Sequence, residues 1–183
     1  MGLKWLFAAL FSVLFRPEDF WRDARERFRE VNAMKEYAAP VIALVQFAKL
    51  PFIAAPRMAM LLALIGFTVD VAVLWLLTGA MVSLAGAERS ESIQHEVMTA
   101  LCFSLTPMWL VEPFGFAGAW RWLVMAAALV YTLFIARLGL QAMLGSGEPG
   151  VEAFSRKSAF LLAAAAMISF LLQGGLIRFF TSF

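Results

Sequence analysis

MAMLLALIGFTVDVAVLWLLTGAMVSLA, residues 58–85, carries a single ionisable side chain, Asp70. As an α-helix rising 1.5 Å per residue it would be about 42 Å long, more than the ~30 Å hydrocarbon core of a bilayer. The rest of the chain has the same character. It is 62% hydrophobic and 15% charged, with a mean hydropathy of +0.80, whereas soluble domains have about 25% charged residues. The sequence therefore predicts an integral membrane protein.

Three further apolar runs, 97–111, 120–144 and 158–180, are each long enough to read as spans. A weaker one at 38–55 is interrupted by Pro40, Lys49 and Pro51. The fold expected is all-α, a polytopic bundle of about five transmembrane helices with an N-terminal interfacial, amphipathic segment. Residues 1–37 form that segment and residues 38–183 the five-helix domain. Of the 15 Lys and Arg residues, all but Lys49, Arg57, Arg121 and Arg178 fall on the side of the N-terminus if it is cytoplasmic. Cytoplasmic loops are enriched in Lys and Arg, so the N-terminus is expected inside and the C-terminus outside. The net charge of +2 is spread along the chain, which leaves no basic stripe for nucleic acid. The lone cysteine, Cys102, excludes an intramolecular disulfide and a thiolate metal cluster.

Ahead of the spans, residues 3–15 (LKWLFAALFSVLF) make a helix of only about 20 Å, too short to cross. No small-x-small cleavage pattern follows, so an uncleaved interfacial or re-entrant helix is expected rather than a secretory signal. RPEDFWRDARERFREV, residues 16–31, then reads as a polar helix with Pro17, Glu18 and Asp19 in its first turn. Phe20, Trp21, Ala24, Phe28 and Val31 share one face, and Glu18 with Arg22 and Asp23 with Arg27 have i, i+4 spacing. The aromatic face, Phe20, Trp21 and Phe28, is expected to lie on the membrane surface or against a partner.

Ionisable groups at membrane depth are costly and mark the first places to look for function. Asp70 lies about 18 Å from the outer end of its span and Lys49 about 16 Å from the inner end of its own, by the helical rise, so the two can meet. Arg137 can snorkel to the cytoplasmic surface or reach toward Asp70. Lys49, Asp70 and Arg137 form either an ion path or a structural ion pair that fixes helix packing. In the third span FSLTP, residues 103–107, places Ser104, Thr106 and Pro107 in an apolar run. Pro107 deprives the Phe103 carbonyl of its helical partner, and the hydroxyls of Ser104 and Thr106 can bond locally to the chain, giving a kink without bare polar groups.

Catalytic and cofactor chemistry find little support. His95 is the sole histidine; Glu91 stands at i−4 of it, but HEVMT lacks the second histidine of an H-E-x-x-H site. Cys102, Ser83, Ser104 and Ser169 have no evident base, and no glycine-rich phosphate loop is present. No catalytic, cofactor-binding or metal residue is assigned, and the protein is expected not to be an enzyme. Gly79 with Ser83, and the alanine runs at 125–131 and 161–169, offer small surfaces for close helix approach, within the chain or against a partner. Gln173 can hydrogen-bond across helices.

RPEDFW at 16–21, a serine-rich loop reaching Gln94, FSLTP at 103–107 and ALVYTLFIARLGL at 128–140 occur in the order that resembles the Yip family of membrane proteins. The resemblance runs from about Arg16 to the C-terminus. It implies five spans, a cytoplasmic N-terminus and a non-enzymatic role. The D-L-x-G-P segment of the eukaryotic branch is missing, so the chain looks like a bacterial member in the cytoplasmic (inner) membrane, and a Rab-type GTPase partner is not expected. Two functions follow as expectations. One is a scaffold or accessory subunit of a membrane protein complex, with the lipid bilayer and other membrane subunits as partners. The other is a small transporter or channel component with a route lined by Lys49, Asp70 and Arg137.

Overall fold

The computed structural model describes residues 2–22, 24–53, 56–84, 91–116, 120–144 and 151–181; side chains 91, 116, 151–156, 173–174 and 176–181 are outside the description. Every regular element in it is helical. Helices α1 (Leu3–Phe15), α2 (Pro17–Arg22) and α3 (Ala24–Arg27) precede a π-helical turn, Met34–Ala38, which runs into α4 (Ala39–Lys49) and a 3-10 turn, Leu50–Phe52. Then follow α5 (Pro56–Leu84), α6 (Glu91–Ser104), α7 (Thr106–Val111), a 3-10 turn at Glu112–Phe116, α8 (Trp120–Leu144) and α9 (Val151–Thr181).

Three stretches among the described residues are long and apolar enough to cross a membrane: Pro56–Leu84, Ser92–Gly115 and Trp120–Leu144. The segment at 38–55 holds an α-helix of only 11 residues, α4, about 16 Å by the helical rise. Pro51 and the 3-10 turn end it early, because proline supplies no backbone donor to continue the ladder. In α9 the apolar stretch described is Lys157–Leu172, also shorter than a span.

The Ser92–Gly115 segment is the centre of the bundle. Its most apolar stretch is 67% buried, against 28% for α5 and 39% for α8. It packs on α5 and α8, while α9 lies against α5 and α8, and α4 against α5. Ala100, Leu101, Cys102 and Phe103 have essentially no exposure. The helix is interrupted at Leu105, whose N–H still bonds to the Leu101 carbonyl at 3.0 Å and whose carbonyl accepts from Trp109 at 3.2 Å, and α7 restarts with Pro107 in its first turn. Thr106 Oγ1 donates to the Phe103 carbonyl at 2.7 Å, replacing the backbone donor that Pro107 lacks. Ser104 plays no such part: its hydroxyl is buried and has no hydrogen-bond partner among the described residues.

The N-terminal segment corrects two expectations. Residues 16–31 form two short helices instead of one long one. Arg22 pairs with Asp19 at 2.6 Å, where Glu18 was expected; Asp23, the expected partner of Arg27, lies outside the described residues. More consequential, the face of Phe20, Trp21 and Phe28 is no free surface. All three are buried, at 3%, 3% and 1% exposure, around Phe103, with ring centroids 5.0, 6.0 and 4.8 Å from it. Tyr37 completes the cluster at 4.3 Å. Aromatic pairs of this kind add about 0.5–1.5 kcal/mol each beyond area burial, so packing around Phe103 at the C-terminal end of α6 holds these rings inside the protein. Arg25 with Glu96 at 3.3 Å and His95 Nε2 with the Val31 carbonyl at 3.1 Å fasten the same segment to α6.

Candidate functional site

Helices α4, α5, α7, α8 and α9 and the 3-10 turn after α7 line a partly open cavity of about 280 Å³. Its polar lining is Lys49, Asp70, Glu112, Arg121 and Ser169; Met108, Trp109, Trp122, Met125 and Phe170 are among its apolar walls. Lys49 ends α4, Asp70 lies midway along α5, and Glu112 follows α7. Helices that adjoin in space thus bring together residues that are 63 positions apart in the chain.

Five side chains make one network. Lys49 Nζ is in an ion pair with Glu112 Oε2, with 7% and 11% side-chain exposure. Lys49 also donates to Gln46 Oε1 at 3.0 Å, and Gln46 Nε2 donates to Asp70 Oδ2 at 2.8 Å and to Glu112 Oε2 at 3.1 Å. Ser169 on α9 donates to Asp70 Oδ1 at 3.4 Å. Asp70 also feels the charges of both Glu112 and Lys49. Gln46 is the bridge, and its position depends on Gly66: a Cβ there would stand 2.5 Å from Gln46 Oε1. Glycine in α5 makes room for the amide that links α4 to Asp70.

Lys49 and Asp70 are thus brought to one cavity, while Arg137 is exposed on α8 and does not line it. Glu112, Gln46 and Arg121 complete the constellation. Glu112 reads in sequence as the marker of a helix exit, and only the return of the chain beside α4 makes it the partner of Lys49. Arg121 stacks on Trp122, 5.1 Å from its ring centroid. Its Nε is buried without a hydrogen-bond partner among the described residues.

Thr106 and Pro107 belong to a second polar point, where the Tyr37 and Thr106 hydroxyls are 2.8 Å apart. Here three of the sequence motifs meet. Trp21 of RPEDFW packs on Phe103 of FSLTP, and a Cβ on Gly139 of ALVYTLFIARLGL would lie 2.7 Å from the Trp21 ring. Tyr131 of the same stretch donates its hydroxyl to the Leu14 carbonyl. The side chains of Glu91 and Gln173 and the loop at 85–90 lie outside the described residues. Compared with known proteins, the chain matches no family model, no curated protein and no solved structure.

Proposed function

We propose that this is an integral membrane protein of the Yip type, with five spans and a cytoplasmic N-terminus in a bacterial inner membrane, acting as a non-enzymatic scaffold or accessory subunit. The convergence of RPEDFW, FSLTP and the 128–140 stretch on one another supports the Yip reading, because residues held together by packing constrain one another's identity. One observation carries the scaffold reading. On α5, Gly79 and Ser83 are exposed, and among the described residues nothing beyond the helix's own backbone stands within 4 Å of where a Gly79 Cβ would be. Small residues four apart let helix backbones approach closely, and the described part of this chain leaves that face open for an apolar helix of another subunit. Extraction in mild detergents should give a defined complex larger than one chain, and Gly79→Leu should release the partner without lowering the melting temperature. A lone chain in every mild detergent tried would overturn the reading.

The cavity around Lys49 and Asp70 favours a second function, a small transporter or channel component. It predicts solute or ion flux in proteoliposomes that falls in Asp70→Asn; no flux in the wild type, or equal flux in both proteins, removes it.

A further inference from the structure

We infer that the cavity is a lipid site, in which Arg121 holds the phosphate of a phospholipid head group while the apolar walls take the adjoining part of its chains. The argument begins with depth. Arg121 stands between Trp120 and Trp122 at the start of α8, and both rings are exposed, at 69% and 48%. Tryptophans that are apolar in body and polar at one edge concentrate at the head-group level of a bilayer, so the cavity meets the membrane where lipid phosphates lie.

The chemistry of the lining selects the ligand. Lys49, Asp70 and Glu112 are engaged with one another and with Gln46. Arg121 is the cavity-lining cation outside that network, and its Nε has no hydrogen-bond partner among the described residues. A guanidinium fork is suited to a phosphate by two parallel N–H···O bonds. The ring of Trp122 restrains the guanidinium from one side. Met108, Trp109, Met125 and Phe170 line the remainder and offer little to a free, fully hydrated anion. The volume of about 280 Å³ lies at the lower end of the range of ligand pockets, roughly 300–1,000 Å³. It suits the glycerol region and upper methylenes of one lipid better than a whole lipid.

The test is native mass spectrometry of the delipidated full chain titrated with phosphatidylglycerol, and separately with inorganic phosphate. The wild type should retain one phosphatidylglycerol per chain. Arg121→Gln should lower its affinity about tenfold or more, the loss expected for a charged hydrogen bond. Ala165→Leu, which narrows the cavity without touching Arg121, should weaken it as well. Equal affinity in the wild type and in a folded Arg121→Gln protein would overturn the proposal. So would retention of lipid by a folded Ala165→Leu protein with unchanged affinity, since the lipid would then lie outside the cavity. Should inorganic phosphate occupy the Arg121 site as tightly as the lipid does, the site is one for a free anion and the lipid assignment fails.

Discussion

At the scale of single residues, the Lys49–Glu112 pair is the buried ion pair around which the network forms. Taking both charges out of water is costly, and their mutual attraction with the bonds from Gln46 offsets it. Removing the Glu112 charge leaves Lys49 buried with Gln46 and the Asp70 charge but without its ion-pair partner, so Glu112→Gln should destabilise the protein by about 3 kcal/mol, the lower end of the range for breaking a buried pair. The double variant Lys49→Met, Glu112→Leu should recover most of that loss, and thermal unfolding in detergent measures both. Gly66→Ala tests the bridge: the new methyl would displace the Gln46 amide, and the variant should lose stability that Gly66→Ala in a Gln46→Ala background does not. Thr106→Val removes the hydroxyl from both the Phe103 carbonyl and Tyr37. It should cost about 1–3 kcal/mol, the range for leaving a buried polar group unmatched. If Thr106→Val is as stable as the wild type, the hydroxyl does not offset the missing proline donor.

Elements show how much of this was legible in the sequence. The long apolar helices α5 and α8 could be read from hydropathy alone, because a continuous apolar run needs no knowledge of neighbours. The break at 103–107 could be read too, since the loss of a donor at Pro107 is a local fact. Glu112 could not be read as the partner of Lys49, because nothing within a few residues of either records that α4 ends beside the turn after α7. The face of Phe20, Trp21 and Phe28 failed for a different reason. Helical periodicity says that one side of a segment is apolar, and it gives the same pattern whether that side meets lipid, a partner or the chain's own core. The deciding contact lies on α8, where Gly139 leaves space for Trp21. Gly139→Ala should push the Trp21 ring, which is 3% exposed and has little room to move, and cost about 1–3 kcal/mol by overpacking. Hydrogen exchange should then rise in α2 and α3 before it rises in α5, because the change unseats the N-terminal helices and leaves the bundle packed.

For the whole molecule the open matter is how α4 and α9 relate to the bilayer, and the packing makes the alternatives distinct. Their described apolar helical stretches are shorter than those of the three long segments, yet α4 lies along α5 and α9 along both α5 and α8. A short helix that packs lengthwise on spans can cross if its ends snorkel or the bilayer thins, at a modest cost per ångström. The network supports this for α4: Lys49 at its C-terminal end meets Glu112, six residues beyond Thr106 near the end of the central segment, while Val31, ahead of α4, meets His95 near that segment's start. The two ends of the 31–49 stretch are therefore tied to opposite ends of the central helix, as the five-span proposal requires. Cys102 is buried, so single-cysteine labelling can start from a Cys102→Ala background. With an impermeant maleimide applied to intact cells, Phe52→Cys and Phe114→Cys should label from outside, whereas Arg29→Cys and Lys157→Cys should label only after permeabilisation. All four positions are exposed on the chain's own surface, so protection does not come from burial within the protein, and labelling after permeabilisation is the control for cover by lipid. Arg29→Cys and Phe52→Cys labelled from the same side would mean that α4 does not cross, and the five-span reading would fail with it.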